Sequence, residues 1–139
     1  MNSETRLARK ILTFGYGNRK NRDDFLHYLQ NHLVKYVIDV RLHPRAWSRQ
    51  WYGDKLEEFC RENNIKYISK PPLGNTSGKA NWIPPDKDKA EAALQEIAEL
   101  AEDGTVLLLC AEMDYDRCHR LEVAHRLRQL VEAEIVHLK

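Results

Sequence analysis

Thr105-Val106-Leu107-Leu108-Leu109, followed at once by Cys110-Ala111-Glu112-Met113-Asp114-Tyr115-Asp116-Arg117-Cys118-His119-Arg120, decides how this chain is read. An unbroken apolar run of that length, bounded by polar residues, is a strand buried on both faces, the kind a parallel sheet uses. Apolar residues return at Leu121, Val123-Ala124, Leu127 and Leu130-Val131, which is helical spacing. The polar cluster therefore fills a strand-to-helix loop and a helix start, with Cys118 and His119 expected in the first turn. Open α/β sheets bind ligands outside the carboxyl ends of their strands, so this loop is the first place to look for chemistry.

Upstream, Lys10-Ile11-Leu12-Thr13-Phe14 and Lys35-Tyr36-Val37-Ile38-Asp39-Val40 read as strands, with Phe25, Tyr28-Leu29 and Leu33 marking a helix between them. Leu56, Phe59 and Cys60 mark a second helix starting near Asp54, and Ile65-Lys66-Tyr67-Ile68 a third strand. Residues 70–85 hold Pro71-Pro72, Gly74, Gly78 and Pro84-Pro85, which excludes regular structure and predicts a long, functional or mobile loop. Pro84-Pro85-Asp86 opens a helix along Ala90, Ala93-Leu94, Ile97-Ala98 and Ala101, which Gly104 closes, and Glu134-Ile135-Val136-His137-Leu138 is the last strand. Strands and helices in that order predict a three-layer α/β fold: a mostly parallel five-stranded sheet with helices on both faces. The 139 residues make one domain, with residues 1–9 a loosely attached start.

The chain shows no signal-peptide apolar region and no membrane-length apolar run, so a cytoplasmic protein with no membrane partner is expected. Three cysteines, an odd number, suit a reducing compartment rather than a disulfide scaffold. Lys and Arg number 22 against 21 Asp and Glu, which argues against a wholesale polyanion binder. The balance hides a dipole: through Tyr52 there are 10 basic and 4 acidic residues, and from Gly53 onward 12 basic and 17 acidic. An anionic ligand would approach the N-terminal part.

Four segments follow predicted strands and so converge on one sheet edge. In the first, Cys110 ends a strand and is either a small core hydrophobe or a reactive thiol. Cys118 and His119 sit where helix N–H groups, Arg117 and Arg120 favour a thiolate. Glu112, Asp114 and Asp116 oppose one, and Asp114 or Asp116 is a candidate helix cap, so sequence leaves open which cysteine is activated. Zinc or a Cys110–Cys118 disulfide is conceivable, but the spacing lacks a Cys-x-x-Cys pair and no metal is assigned. In the second, Asp39-Val40-Arg41-Leu42-His43-Pro44-Arg45-Ala46-Trp47-Ser48-Arg49-Gln50-Trp51-Tyr52 interleaves arginines with aromatics, a combination suited to phosphates and bases or else a loop pinned by its aromatics. Asp39 reads as an internal partner of Arg41 rather than a catalyst. In the third, Thr13-Phe14-Gly15-Tyr16-Gly17-Asn18-Arg19 permits a tight turn with N–H groups facing an anion; it is neither a dinucleotide fingerprint nor a P-loop, so no cofactor is implied. In the fourth, Pro72-Leu73-Gly74-Asn75 is a structural turn or a flap over the same edge.

At these residues the sequence resembles the uncharacterised family catalogued as domain of unknown function 488. The resemblance runs from about Ile11 to the end, on the third segment, on Asp39-Val40-Arg41 with Pro44-Arg45, on Leu73-Gly74, and on Leu109-Cys110-Ala111-Glu112 with Cys118-His119-Arg120. It implies an α/β fold and a shared polar site, with no reaction to carry over. The family pattern tends to place a serine after Pro-Arg, where this chain has Ala46. A looser likeness, of layout only, is to rhodanese-type sulfurtransferases, which also pair an Asp-Val-Arg after an early strand with a cysteine after a later one. Their cysteine sits in a tight loop of backbone donors, whereas the loop here is acidic and lacks glycine.

The leading expectation is a small enzyme acting on an anionic substrate of the nucleotide or nucleic-acid class. Cys110 or Cys118 would be the nucleophile, His119 the proton carrier and Glu112 an acid or base, with Tyr16, Asn18, Arg19, Arg41, Arg45 and Arg120 holding substrate. The alternatives are a non-catalytic nucleic-acid or nucleotide-binding module and a thiol redox sensor. Oligomeric state is left open.

Overall fold

The computed structural model describes residues 9–17 and 19–139; most of the expected loose start lies outside the described residues. Strands β1 (Lys10–Gly15), β2 (Val34–Asp39), β3 (Lys66–Ser69), β4 (Thr105–Cys110) and β5 (Glu134–His137) form one parallel sheet in the order β3-β2-β4-β1-β5. Helices α1 (Asp23–Asn31), α2 (Gly53–Glu62), α3 (Lys87–Asp103) and α4 (Arg120–Arg128) cover its faces, giving the three-layer α/β architecture. No helix among the described residues is long and apolar enough to cross a membrane.

β4 reads as a continuous apolar run because it is the central strand, paired to β1 on one side and β2 on the other, with every residue buried. Its side chains alternate. Val106, Leu108 and Cys110 join Leu94, Ile97, Val123 and Leu127 in the α3 and α4 layer, while Leu107 and Leu109 join Phe14, Phe25, Leu29 and Leu56 in the α1 and α2 layer. Burying each such side chain contributes about 1.5–3 kcal/mol. The alternation fixes on which face a residue at the strand's end emerges: Cys110 faces α4, and Asp39, at the end of β2, faces away from it.

β1 and β2 lead into the first helical layer, whereas β3 and β4 lead into α3 and α4 in the second. The chain thus changes sides after β3, and because β4 lies between β1 and β2, the crevices beside its carboxyl end are the topological switch points of this sheet. Residues 70–85 are irregular apart from a 3-10 turn at Pro71–Leu73, a departure from the expected absence of regular structure, and they are tied down. Leu73 is fully buried, Asn75 Oδ1 accepts from the N–H groups of Ser77 and Ile83, and Trp82 Nε1 donates to the Gly74 carbonyl at 2.9 Å. The reading of Leu73-Gly74 as a structural turn holds. Asp86 caps α3 through Oδ1, which accepts from Lys89 N–H at 3.0 Å.

Candidate functional site

Cys110 is delivered to the α4 face by strand alternation, and Cys118 to the same place by the loop that returns through a 3-10 turn at Tyr115–Arg117. Cys118 and His119 were expected in the first turn of the helix, but it begins at Arg120, so Cys118 (φ −126°, ψ 141°) is extended chain just before it. The two sulfurs and a ring nitrogen of His119 lie within 4.8 Å of one another. Exposure is 8% for Cys110, 5% for Cys118 and 6% for His119. His119 Nε2 is 2.9 Å from the Val40 carbonyl, which can only accept, so Nε2 carries a proton and Nδ1, 3.8 Å from Cys118 Sγ, faces the sulfur.

Cys118 Sγ also accepts the Arg120 backbone N–H at 3.5 Å and thereby serves the open helix start. The carboxylates of Asp114 and Asp116, expected as caps, do not: α4 has no capping bond from its own N-cap side chain, and Asp114 Oδ2 instead lies 3.7 Å from the exposed Arg117 guanidinium. The Cys110 thiol donates to Cys118 and holds its proton affinity well below that of an ordinary cysteine, helped by His119, the Arg120 charge and the Arg120 N–H, against the opposing effect of burial. The same bond, burial and the adjacent thiolate raise Cys110. Both effects favour charge on Cys118, the sulfur that also receives the Arg120 N–H. Two thiols and an imidazole also suit a soft cation such as zinc, but no further His, Cys, Asp or Glu among the described residues joins the three, and a closed structural site needs four.

Arg120 differs from its expected role. It is fully buried, its Nη1 donates to the Glu112 carbonyl and its Nη2 to the Met113 carbonyl at 3.1 Å, and Nε has no hydrogen-bond partner. No carboxylate among the described residues pairs with it, so it anchors the loop rather than a substrate. Loop 112–113 in turn lies directly on the exit of β1. A Cβ at Gly15 would sit 1.8 Å from the Glu112 oxygen, and one at Gly17, where φ is +42°, 1.7 Å from Met113 Cγ. The expected free N–H groups of this turn are already engaged: Tyr16 N donates to the Cys110 carbonyl at 3.1 Å and Gly17 N to the Ala111 carbonyl at 2.7 Å. The glycines serve close packing, not anion binding. Glu112 is exposed, its Oε1 accepts the Asp114 N–H at 3.1 Å, and its carboxylate is not among the groups gathered around the sulfurs.

On the opposite face of the sheet, Asp39 and Arg41 form a buried fork: Nε to Oδ1 at 2.8 Å and Nη2 to Oδ2 at 2.6 Å, with exposures of 0% and 5%. The Tyr67 hydroxyl donates to Asp39 Oδ2 at 2.5 Å, and Arg41 Nη1 donates to the Tyr16 hydroxyl at 3.3 Å and the Arg45 carbonyl at 3.2 Å. Asp39 is the internal partner the sequence suggested. Arg41, expected on substrate, is committed to structure.

Beside this network opens a cleft of about 1040 Å³. Tyr16 and Trp51 stack in its wall with ring centroids 4.9 Å apart, and Arg19, Lys20, Arg45 and the fully exposed Trp47 surround it. Arg19 is paired to Asp24 at 2.6 Å and lies over the Phe14 ring, whereas Lys20 and Arg45 make no ion pair with any described residue. Asn18 lies outside the described residues. Lys20 was missed in the sequence; its place directly after the glycine turn, next to Arg19, was the available signal. Neither sulfur lines the cleft; Ala111, directly after Cys110, is where the loop meets it. The structure therefore gathers Cys110, Cys118 and His119 in one place and Tyr16, Arg19 and Arg45 in another, along a single edge.

The family model described as Domain of unknown function DUF488 matches residues 21–127. No curated protein and no solved structure matches.

Proposed function

The chain belongs to the family described as Domain of unknown function DUF488, and from that footing we propose that it is a small thiol-dependent enzyme acting on an anionic substrate of the nucleotide or nucleic-acid class. The observation that carries this reading is the buried Arg120 guanidinium, which has no carboxylate partner among the described residues and whose charge acts on the Cys118 thiol. A buried cation needs a counter-charge. A Cys118 thiolate supplies it, and a thiolate is the nucleophilic form of cysteine.

In this reading Cys118 attacks an electrophilic centre presented past Ala111. His119, held by its Nε2–H on the Val40 carbonyl, takes up the Cys118 thiol proton on Nδ1 as the thiolate forms and returns it to the leaving group. Lys20 and Arg45 bind the anionic part of the substrate and Trp47 stacks on its base. A cytoplasmic compartment suits its three unbridged thiols.

Alkylation by iodoacetamide across pH 6–8 tests the nucleophile. A free-cysteine peptide with a thiol value near 8.5 speeds up roughly 75-fold over that range, and Cys118 should stay nearly flat. If Cys118 follows the peptide, the enzyme reading is withdrawn.

A second reading, a binding module without catalysis, is favoured by the absence of both sulfurs from the cleft wall. Oligonucleotide binding that falls steeply with salt and survives Cys118→Ser would support it; no binding at low salt would remove it.

A further inference from the structure

Cys110 has no task in that chemistry beyond its hydrogen bond to Cys118, yet its sulfur sits within 4.8 Å of Cys118 Sγ. The two approach from independent directions, one from the last residue of β4 and one from extended chain ahead of α4. Cys110 and Cys118 keep exposures of 8% and 5%.

We propose that Cys110 and Cys118 form a reversible two-electron couple that switches the site off: a peroxide oxidises Cys118, and Cys110 captures the product as an intramolecular disulfide. The proposal rests on Cys118 being the reactive thiol. In the first step the Cys118 thiolate attacks a peroxide oxygen, the O–O bond breaks, and hydrogen peroxide leaves Cys118 as sulfenic acid plus hydroxide. In the second, the Cys110 sulfur attacks the sulfenic sulfur, the S–O bond breaks, and its oxygen departs as water with the Cys110 thiol proton. The two sulfurs are oxidised and one peroxide is reduced to two waters once the hydroxide takes up a proton. Any small-molecule dithiol or glutathione-type thiol reverses the bridge by exchange.

The surroundings of Cys118 make the bridge a labile switch rather than a structural clamp. As a thiolate, Cys118 accepts the Cys110 S–H and the Arg120 N–H and faces the buried Arg120 charge. Bridging removes all three interactions, so the reduced form is the stabilised one, which makes such a couple oxidising and easily reopened. Cys60 is an internal control. It lies in the opposite helical layer among Phe25, Leu56 and Trp51, away from the other two cysteines, and burial pushes its thiol up to about 12.

The test treats the folded chain with hydrogen peroxide, blocks remaining thiols with N-ethylmaleimide under denaturing conditions, and maps peptides by mass. A Cys110–Cys118 linked peptide, formed at least tenfold faster than any oxidation of Cys60 and lost on adding dithiothreitol, is the expected result. In Cys110→Ala, Cys118 should go on to the sulfinic acid; in Cys118→Ser, which retains an oxygen acceptor for the helix start, Cys110 should stay a thiol. A wild-type chain that carries Cys118 sulfinic acid and no bridge, or that bridges between molecules, overturns the couple while leaving the reactive thiol standing. Cys118 oxidation no faster than that of Cys60 overturns both. Circular dichroism of each variant separates these outcomes from failure to fold.

Discussion

Two buried guanidiniums sit at the same edge of the sheet, on opposite faces, and they are solved differently. Arg41 is bidentate to Asp39, which Tyr67 also contacts, so its charge is neutralised within the fold. Arg120 has two backbone carbonyls, an orphan Nε and no carboxylate, so its charge is left for the sulfur beside it. A buried cation that the fold neutralises is architecture. One that the fold leaves uncompensated, near an ionisable thiol, biases that thiol toward its charged form.

The sharpest way to break this contrast is to remove each arginine. Arg41→Ala strands the Asp39 carboxylate and should cost about 3–5 kcal/mol in urea unfolding while leaving the pH profile of Cys118 alkylation in place. Arg120→Leu should cost less, about 2–4 kcal/mol, because carbonyls rather than a carboxylate lose their donor; here the alkylation profile should shift to higher pH. Equal shifts in the two variants would erase the distinction. Gly15→Ala should cost about 1–3 kcal/mol, since its methyl must displace the Glu112 carbonyl, and should free loop 112–113 to faster backbone hydrogen exchange.

A gentler effect is the pH dependence of stability. Cys118 ionises more readily folded than unfolded, so its contribution is complete above the unfolded thiol value of about 8.5 and fades as pH falls toward the folded value. Cys110 ionises less readily folded, so its contribution fades as pH climbs past about 8.5. The stability difference between wild type and the Cys110→Ala, Cys118→Ala double variant should therefore rise from pH 5 to about 8 and turn down above; a flat difference would contradict the assignment of charge. Smallest of all, Arg45→Ala and Trp47→Ala should change stability by no more than about 0.5 kcal/mol, because both side chains are exposed, yet both should weaken nucleotide or oligonucleotide binding by titration.

The five strands and four helices were legible because each carries its own period or an unbroken apolar run, as at 105–109 and along Ala90, Leu94, Ile97 and Ala101. That Cys110, Cys118 and His119 share one strand-to-helix segment was legible, but nothing in the sequence required that loop to fold back and bring the two sulfurs together. What was hidden is which charged residues go inside. Arg41, Arg45 and Arg120 look alike in sequence, and only strand alternation and loop packing send two of them inward and leave Arg45 in the open cleft. The Gly15 and Gly17 turn was misread for the same reason: sequence shows that a side chain is missing, not that a distant loop at Glu112 and Met113 needs the room. Strand alternation likewise separates the thiols from Arg41, although both follow the ends of neighbouring strands.

Because the first amide of α4 is bonded to a sulfur rather than to a hydroxyl or carboxylate, the Arg120 N–H is a built-in reporter. Protonation, alkylation or bridging of Cys118 must each alter that amide's nuclear resonance. The chemical state of the thiol can thus be followed in the intact protein, with no label and no knowledge of the substrate.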